Sequence, residues 1–441
     1  MIMDFDYKNI LIMGYGKSGQ AVEKIIKKLG SVSYQIYDKG KRIYGGKYTA
    51  KLSKKFIRQF DLIVVSPGIS VFNPYISYAE KIGIKVIGEL EFGYWFTESP
   101  VIAITGTNGK TTTTSLVNQI VGKKYASGAY GNIGVPLTEA YNEDLDYIVC
   151  EVSSFQLETT GMFTPYISVL LNIAEDHLDR HKNMENYIKC KLGLLKNCNE
   201  KSIIILNADD KIIMERTSNI TANKYYISLY EKVRGVYIHN GKIYSCLGNK
   251  PEKIIELSEI EHLYGVLQDV LASILVGAIL KVDKETIIET VKNYTVSSHR
   301  LEVVAKQNNI TYIDDSKSTN IHSTINGLQA VKDRVVLLLG GEDKKLNFAP
   351  IFDNFSEKLD MVVAFGSARK KIIKTANKHK FEKIKTARTF VEAVQVACEC
   401  AVDGNIVLLS PACTSFDEFN NYAERGQTFS KVVKKFIDAK S

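Results

Sequence analysis

A short glycine-rich segment, I-T-G-T-N-G-K-T-T at residues 104–112, has the residue types needed to bind phosphate. It follows an apolar run and leads into a helix-compatible segment, so backbone N–H groups and a helix N-terminus can face an anion. Lys110 supplies a positive charge, and the Thr111 hydroxyl can ligate Mg²⁺. We therefore predict a nucleoside triphosphate site, with an ordinary glycine turn as the alternative. The predicted binding residues are Gly106, Thr107, Asn108, Gly109, Lys110, Thr111 and Thr112.

The spacing of this segment departs from the common pattern G-x-x-x-x-G-K-[ST]. That pattern requires a glycine at position 104, where this chain has Ile104. We interpret the loop as a shorter variant that differs from the phosphate loops of kinases and GTPases.

Acidic residues and histidines follow two other apolar runs. Glu151 ends the run 147–150, and the carboxyl ends of parallel strands deliver side chains to the crevice of an open sheet. A carboxylate there suits Mg²⁺. The stretch 172–181, N-I-A-E-D-H-L-D-R-H, follows the second run. Since Mg²⁺ prefers oxygen ligands, His177 is either a minority nitrogen ligand or a hydrogen-bonding loop residue.

The segment G-Y-G-K-S-G at residues 14–19 matches a dinucleotide-binding fingerprint. It lies between a predicted strand and a predicted helix, and Asp38 follows the second strand, where an acid can bind a ribose hydroxyl. The same geometry binds any diphosphate, so we favour a UDP-type ligand and keep a nicotinamide oxidoreductase as the alternative. The candidate UDP-binding residues are Gly14, Tyr15, Gly16, Lys17, Ser18, Asp38, Ser66 and Gly68.

Apolar runs of strand length alternate with helical segments along the whole chain, which is typical of parallel sheets covered on both faces. We predict an α/β protein of three domains. Residues 1–92 and 297–441 would each be Rossmann-like, and residues 93–296 would form a central P-loop ATPase-like domain with a mostly parallel sheet. The glycine-containing region 235–248 is predicted to be irregular.

Composition argues against several classes of protein. The 441 residues carry a formal net charge of +8 on scattered lysines without a basic block, so no nucleic-acid partner is expected. Seven cysteines without a C-x-x-C pair favour a reducing cytoplasm. The start lacks a signal-peptide pattern, and the longest apolar run, 270–280, is too short to span a bilayer. We expect a soluble, cytoplasmic protein without membrane insertion.

Further motifs recur together with the phosphate loop. They are G-N-I-G-V-P at 131–136, E-V-S-S-F-Q-L at 151–157, S-H-R-L-E at 298–302 and D-D-S-K-S-T-N at 314–320. In their order and separation they resemble the Mur ligase family. The C-terminal L-S-P-A-C-T-S-F-D-E-F, at 409–419, is similar to that of the members that use D-glutamate.

The resemblance implies an ATP-dependent amide ligase of peptidoglycan precursor synthesis. Its substrates would be ATP, UDP-N-acetylmuramoyl-L-alanine and D-glutamate, joined through an acyl phosphate, with two Mg²⁺ ions and a monomeric enzyme. Sibling ligases that use L-alanine, a diamino acid or folate remain alternatives, as do the oxidoreductase and a non-catalytic nucleotide-binding regulator.

The resemblance also implies roles for individual residues. Those implied to be catalytic are Lys110, Glu151, His177 and Lys191. The implied metal ligands are Thr111, Glu151, His177 and Lys191 as a carbamate. By composition alone, Lys191 is an ordinary solvated lysine. The residues implied to hold the acceptor are Asn132 and Ser153, and those implied to contact ATP outside the loop are Arg300 and Asp315. The implied D-glutamate residues are Lys317, Thr319, Lys344, Ser415, Phe416 and Tyr422.

Two positions depart from the family pattern. Many members carry H-N-x-x-N for the adenine, whereas the counterpart here, G-V-L-Q-D at 265–269, has neither asparagine. We expect Asp269 or a backbone group to substitute, or a looser specificity for the base. Ser318 replaces the usual alanine, a small change that we expect to be tolerated.

Overall fold

The computed structural model describes residues 5–40, 47–343 and 346–439. The N-terminal strands are β1 (Asn9–Met13), β2 (Ser33–Tyr37), β3 (Tyr48–Thr49), β4 (Leu62–Val65) and β5 (Lys85–Gly88). The helices between and after them are α1 (Lys17–Leu29), α2 (Lys54–Ile57), α3 (Pro74–Lys81) and α4 (Glu89–Trp95). The strands form a parallel sheet in the order β3-β2-β1-β4-β5, which confirms the α/β pattern predicted for this block.

This first sheet is buried on both faces because its central strands are almost entirely apolar. Strand β1 exposes only its first residue and β4 exposes none. Separate apolar clusters cover the two faces. A parallel sheet needs this double cover, so only the strand ends remain available to carry functional side chains.

The central part forms a sheet of nine strands. They are β6 (Val101–Thr105), β7 (Ser127–Gly131), β8 (Tyr147–Glu151), β9 (Ile167–Leu170), β10 (Ile203–Asn207), β11 (Asn223–Ser228), β12 (Gly235–His239), β13 (Lys242–Cys246) and β14 (Glu252–Glu256). The strand order is β14-β13-β12-β11-β10-β9-β6-β8-β7. Strand β13 pairs antiparallel with both β12 and β14, and the other pairings are parallel, so the prediction of a mostly parallel sheet is confirmed.

The helices of the central part are α5 (Lys110–Val121), α6 (Ser154–Leu157), α7 (Leu178–His181), α8 (Met184–Leu192), α9 (Lys211–Thr217), α10 (Leu267–Ile279) and α11 (Lys284–Lys292). Three 3₁₀ helices, Leu137–Ala140, Gly193–Leu195 and Leu257–Val266, accompany them.

The prediction that region 235–248 is irregular was wrong. It contains the hairpin β12–β13, whose turn residues Asn240 and Gly241 both have positive φ, at 48° and 71°. An Asn-Gly pair with positive φ at both positions is typical of the tight turn that matches strand twist. The dipeptide was therefore the missed signal.

One helical stretch within the described residues, Leu257–Ile279, is long and apolar enough to cross a membrane by composition, and 61% of its most apolar window is buried inside the protein. Its second part, α10, packs against α5. Burial against another helix is the ordinary reason for an apolar helix, because a helix that is apolar all round needs cover on every side.

The C-terminal part forms a third sheet. Its strands are β15 (Glu302–Gln307), β16 (Ile310–Asp314), β17 (Val335–Gly340), β18 (Leu359–Phe365), β19 (Ile384–Thr386) and β20 (Ile406–Ala412). Its helices are α12 (Ile321–Ala330), α13 (Ala349–Phe355), α14 (Arg369–Lys378), α15 (Phe390–Cys400) and α16 (Tyr422–Asp438). The order is β15-β16-β20-β17-β18-β19, with β15 antiparallel and two apolar clusters on the faces.

The described residues divide into two compact units. The first comprises the described parts of Met1–Ile173, Arg180–Glu261 and Val266–Tyr294, and so contains the first two sheets. The second comprises Ala174–Asp179, His262–Gly265 and the described parts of Thr295–Ser441. The domain limits at 92 and 296 stay predictions.

Glu91 joins the first sheet to the central one. It is fully buried in α4, and its carboxylate accepts hydrogen bonds from the backbone N–H groups of Gly161 (2.8 Å), Met162 (2.6 Å) and Phe163 (3.1 Å). The Trp95 indole N–H donates to the same carboxylate at 2.9 Å. A buried carboxylate is tolerated here because these donors replace water.

We expect Glu91→Ala to lower the free energy of unfolding of the first unit by about 3 kcal/mol, because three buried N–H groups lose their acceptor. Urea unfolding followed by tryptophan fluorescence would measure the loss. Glu98→Ala, at an exposed position nearby, is the control and should change stability by less than about 0.5 kcal/mol. Equal stability of the two variants would contradict this role of Glu91.

Candidate functional site

The candidate UDP-binding residues lie at the carboxyl ends of β1, β2 and β4. Chain order reverses between β1 and β4, and such a switch point is where open α/β sheets bind ligands. Ser66 Oγ donates to the Gly14 carbonyl at 3.0 Å, and the Tyr15 N–H donates to Asp38 Oδ2 at 2.7 Å. Gly16 caps α1, Lys17 and Ser18 begin it, and Gly68 lies in the turn after β4. The structure therefore brings these residues together at the carboxyl ends of neighbouring strands of the first sheet.

The Gly14–Gly19 turn needs glycine because the backbone approaches itself closely. A Cβ at Gly19 would lie 2.1 Å from the Gly14 carbonyl oxygen. The neighbouring Tyr15 hydroxyl donates to Glu23 Oε2 at 2.5 Å. Burial, with the hydrogen bond to Glu23, raises the pKa of Tyr15 to about 12, so this tyrosine is a neutral donor at physiological pH.

The phosphate loop follows β6, and its carbonyl groups are occupied by cations. Lys110 Nζ donates to the carbonyls of Gly106 and Thr107, both at 2.9 Å. Lys191 Nζ donates to the same Gly106 carbonyl at 2.7 Å. The carbonyls of Gly106 and Thr107 accept from cations, and the N-terminus of α5 follows the loop. A helix N-terminus after such a loop is a typical place for an anion to bind.

Asn172, which follows β9, holds the middle of this loop. The Thr107 N–H donates to the Asn172 carbonyl at 2.9 Å, and the Asn108 N–H donates to its side-chain oxygen at 2.8 Å. Asn172 Nδ2 donates in return to the Asn108 carbonyl at 3.2 Å. Strand β9 lies beside β6, so the sheet brings Asn172 to the loop.

Lys191 is 1% exposed, so its interpretation as a solvated lysine was wrong. Helix α8 carries it inward with Tyr187, whose ring centroid lies 4.8 Å from Nζ. The Tyr187 hydroxyl is 3.1 Å from Thr107 Oγ1. A buried ammonium needs partners that replace water, and here the Gly106 carbonyl and the Tyr187 ring face serve as such partners.

Glu151 ends β8, directly beside β6 in register with Ile104. It is 2% exposed, and Asn132 Nδ2 donates to its Oε1 at 2.7 Å. Its Oε2 is buried without a hydrogen-bond partner among the described residues. An unsatisfied carboxylate oxygen beside a phosphate loop has the chemistry of a ligand for a hard cation.

Ser153 has a local structural role. Its Oγ accepts the Gln156 N–H at 3.3 Å and caps the start of α6. Thr111 is half-buried in the first turn of α5, and the buried Thr112 hydroxyl has no partner among the described residues. Of these hydroxyl groups, that of Ser153 is engaged in capping α6, whereas that of Thr112 has no hydrogen-bond partner among the described residues.

Asp269 lies in the first turn of α10 and is 5% exposed. Its carboxylate packs against Gly109, where an added Cβ would be 2.1 Å from Oδ1. Gly109 has φ 87°, so both its conformation and its surroundings require glycine. The carboxylate thus lies beside the phosphate loop, and its use in binding the base stays a prediction.

His177 belongs to the segment Ala174–Asp179 of the second unit. Its side chain is 40% exposed, and its backbone is in the left-handed region, with φ 53°. Its Nε2 lies 3.7 Å from Asp176 Oδ2, which accepts a hydrogen bond from Asn320 Nδ2 at 3.2 Å. Its role as a metal ligand stays a prediction.

Arg300 and Asp315, the predicted ATP-contacting pair, lie together in the second unit. Asp315 is 2% exposed and accepts a hydrogen bond from Ser410 Oγ at 2.7 Å. Burial raises the pKa of Asp315 to about 6, although the Arg300 charge and hydrogen bonds from Ser318 and Ser410 oppose the shift. Arg300 Nε is buried without a partner among the described residues.

The predicted D-glutamate residues cluster in part after β16 and β20, which are neighbours in the third sheet. Lys317 Nζ lies 5.8 Å from the centroid of the Tyr422 ring. Ser415 is buried after β20, Thr319 is half-buried, and Phe416 is 64% exposed. Lys344 lies outside the described residues.

The comparisons with known proteins cover all three blocks. The model of the MurD-like N-terminal domain of Mur ligases matches residues 8–88, the Mur ligase middle domain matches 104–261, and the Mur ligase glutamate ligase domain matches 299–413. The chain belongs to the Mur ligase family. The three-domain α/β fold and the family resemblance predicted for this Mur ligase are thereby confirmed.

Relatives match over nearly the full length of this Mur ligase. The UDP-N-acetylmuramoylalanine--D-glutamate ligase of Thermoanaerobacter sp. (strain X514) is 38% identical, over 98% of this chain and 99% of the relative. The protein of the same name from Caldicellulosiruptor bescii is 35% identical over 99% of each. The MurF ligase of Thermotoga maritima, solved with ADP, matches with a TM-score of 0.61 at 15% identity, covering 100% of this chain and 98% of that one, which shows a shared fold.

Two residues at the phosphate loop of this Mur ligase were missed as site residues: Asn172 and Tyr187. Asn172 opens the stretch 172–181, so its position after an apolar strand was a signal. Tyr187 gave none, because its contact depends on how α8 packs. Asp269 was predicted as a possible base-binding residue, but its contact with Gly109 depends on the packing of α10 and was not predicted.

The buried carboxyl of Asp315 predicts a pH dependence of stability. A pKa raised from 3.8 to about 6 means that the folded protein binds more protons than the unfolded chain between these values, so this group lowers stability as pH rises through that window. We expect the melting temperature of Asp315→Asn, relative to wild type, to be a few degrees higher at about pH 7 than at about pH 4. Differential scanning calorimetry would measure it.

Asp403→Asn, at an exposed position of the same unit, is the control. Its offset from wild type should vary less with pH. An Asp315→Asn offset that is equal at both pH values would refute the raised pKa.

Proposed function

We propose that this Mur ligase joins D-glutamate to the terminal carboxylate of UDP-N-acetylmuramoyl-L-alanine and converts ATP to ADP and phosphate, as a step of peptidoglycan precursor synthesis. The main support is one juxtaposition: a phosphate loop after β6 and, on the adjacent strand β8, the buried Glu151 with an unpartnered oxygen. The two full-length relatives bear the name of this activity.

The proposed ATP site uses the N-terminus of α5, since the Thr107 and Asn108 N–H groups of the loop already donate to Asn172. Lys110 donates to two carbonyls of its own loop, so its charge is already held beside the position of the phosphates. Positioned positive charge is the main aid to phosphoryl transfer, since two anions must approach each other. Arg300 and Asp315 are also proposed to contact ATP.

Magnesium fits the residues of the first unit. The Glu151 Oε2 atom, which has no hydrogen-bond partner within the described part of the chain, can ligate a cation, and the Thr111 hydroxyl is close to the phosphate loop in sequence. When bound, Mg²⁺ would neutralise phosphate charge. Lys191 can join this ligand set only as a carbamate, because an ammonium has no lone pair to offer.

The proposed acceptor site lies at the switch point of the first sheet, where the Gly14 turn, Asp38 and Ser66 would bind the UDP portion. Asn132 and Ser153 are proposed to hold the muramoyl-alanine portion. Asn132 already donates to Glu151, so an acceptor carboxylate bound by Asn132 would be near the proposed phosphate site.

The proposed reaction has two steps. An acceptor carboxylate oxygen attacks the γ-phosphorus of ATP, the bond to ADP breaks, and an acyl phosphate forms. The amino group of D-glutamate then attacks the acyl carbon, loses a proton, and phosphate leaves with its bonding electron pair. Lys317, Thr319, Lys344, Ser415, Phe416 and Tyr422 are proposed to bind D-glutamate, whose two carboxylates suit lysine and hydroxyl partners.

The relatives favour a ligase over the other functions. Their match covers nearly the whole chain, and the MurD-like N-terminal domain model covers the Gly14–Gly19 turn, which favours a UDP-linked ligand there over nicotinamide. A sibling ligase would use another amino acid, and a regulator would not turn over ATP. We also propose that the enzyme acts as a monomer in the cytoplasm, where ATP and a UDP-linked precursor are available. Its seven cysteines, all among the described residues, form no disulfide, which agrees with a reducing compartment.

The deciding assay is phosphate release with ATP, Mg²⁺ and UDP-N-acetylmuramoyl-L-alanine. We expect turnover with D-glutamate and little with L-glutamate or without amino acid. Turnover with L-alanine or a diamino acid would identify a sibling ligase, and no nucleotide consumption under any condition would exclude the proposal.

We expect Lys110→Ala to lower kcat roughly 10²–10³-fold, because a positioned charge next to the transferred phosphoryl group is lost. Its melting temperature should stay within a few degrees of wild type, since Lys110 lies at the start of α5 beside the phosphate loop and donates to carbonyls of that loop. Lys123→Ala, at an exposed position after α5, is the matched control. A rate close to wild type in Lys110→Ala would rule the assignment out.

The carbamate proposal for Lys191 is testable by chemical rescue. Lys191→Ala should be inactive, and a short carboxylic acid or bicarbonate should restore part of the activity by supplying the missing carboxylate. Lys189→Ala, exposed on the same helix, should remain active without added acid. Full activity of Lys191→Ala, or loss of activity that no acid restores, would refute the carbamate.

A further inference from the structure

Arg180 makes contacts that the proposed mechanism does not use. Its Nη2 donates to the Ile69 carbonyl at 3.0 Å and to Glu158 Oε2 at 2.5 Å, and its Nε donates to Glu158 Oε1 at 3.3 Å. The Arg180 side chain is 12% exposed and that of Glu158 is 8% exposed. The guanidinium therefore bridges two backbone segments inside the first unit.

The first of these segments is the turn after β4. The Ile69 N–H donates to the Ser66 carbonyl at 2.9 Å, which closes the turn. Ser66 Oγ donates to the Gly14 carbonyl in the neighbouring glycine turn. Arg180 thus bonds to the last residue of the turn proposed to bind the UDP portion of the acceptor.

The second segment is α6, which Ser153 caps and Glu158 ends. The Phe155 ring of this helix lies under the Arg180 guanidinium, 4.7 Å from its carbon to the ring centroid. Ser153 is proposed to hold the muramoyl-alanine portion. The two ends of the Arg180 bridge therefore belong to the two proposed parts of the acceptor site.

Glu158 is itself held in place. His181 Nδ1 lies 3.5 Å from its Oε1, and His181 Nε2 lies 3.0 Å from Ser154 Oγ. The His181 ring also stacks on Phe155, with centroids 5.6 Å apart. A carboxylate with two fixed neighbours is a rigid acceptor, so the planar guanidinium has one orientation.

We propose that Arg180 is a positioning residue for the UDP-linked acceptor, which fixes the spacing between the turn Ser66–Ile69 and the helix capped by Ser153. This inference rests on the proposed function. Lysine at this position keeps the charge but offers a single nitrogen, which cannot serve the Ile69 carbonyl and both Glu158 oxygens in the same plane. With lysine, the distance between the turn Ser66–Ile69 and the helix capped by Ser153 would vary, and an acceptor that contacts both segments would bind more weakly.

The experiment compares Arg180→Lys with Arg216→Lys as the matched control. Arg216 also makes a two-pronged pair with a glutamate, Glu185, but both side chains are about half exposed and neither belongs to the proposed site. Isothermal titration of wild type and both variants would use UDP-N-acetylmuramoyl-L-alanine and, separately, ADP. Steady-state rates at saturating ATP and D-glutamate would give KM for the acceptor and kcat.

For Arg180→Lys we expect Kd and KM for the acceptor to rise about tenfold, the usual consequence of losing a hydrogen bond to a charged group. The ADP Kd should stay within about twofold and kcat within about threefold. Arg216→Lys should match wild type throughout. A residue with only a structural role would instead lower the melting temperature and weaken ADP and acceptor binding alike.

Glu158→Gln provides a second variant of nearly equal volume in case Arg180→Lys folds poorly, and the same selective rise is expected. Wild-type acceptor binding in the folded variants, or equal weakening of ADP and acceptor, would overturn the inference while leaving the proposed function intact. A wild-type protein that binds ADP but not the UDP-linked acceptor would overturn the proposed function and the inference with it.

Discussion

The first unit depends on one constraint: a loop that binds phosphate through its N–H groups must have its carbonyl groups satisfied elsewhere. Lys110 and Lys191 both donate to the Gly106 carbonyl. Asn172 accepts from the Thr107 and Asn108 N–H groups and donates to the Asn108 carbonyl. Buried unpaired carbonyls would be costly and would repel an anion. The cations and the amide therefore stabilise the loop in the conformation that an anion can use.

Two buried acids, Glu151 and Asp315, differ in chemistry because their surroundings differ. Glu151 has one carboxylate oxygen with no hydrogen-bond partner among the residues that the structure describes, whereas the Asp315 carboxylate lies near Ser410 and the Arg300 charge. The first acid is suited to an added cation, because its remaining oxygen gains most from one. Burial raises the pKa of Asp315 only to about 6, so Asp315 is mostly a carboxylate near pH 7, next to the Arg300 charge and hydrogen-bonded by Ser410.

Much of the fold could be predicted because each buried parallel strand is a nearly continuous apolar run. The phosphate loop and Glu151 followed from the same reasoning, since both lie where such runs end. The burial of Lys191 and the contact of Asp269 with Gly109 could not be predicted. Both depend on the packing of helices whose own patterns do not say which face meets which neighbour. The hairpin at Asn240 and Gly241 was predictable in principle from its turn residues.

The amino-acid sequence by itself determined the α/β class, the glycine turns and the positions of the strand ends, because these depend on local apolar runs and on backbone freedom at glycine. Only the tertiary structure decided that Lys191, from a helix far along the chain, would share a carbonyl with Lys110, and that Arg180 would join the Ile69 turn to Glu158. Such pairings are selected by the requirement that buried polar groups find partners, and that requirement acts only after the chain has packed.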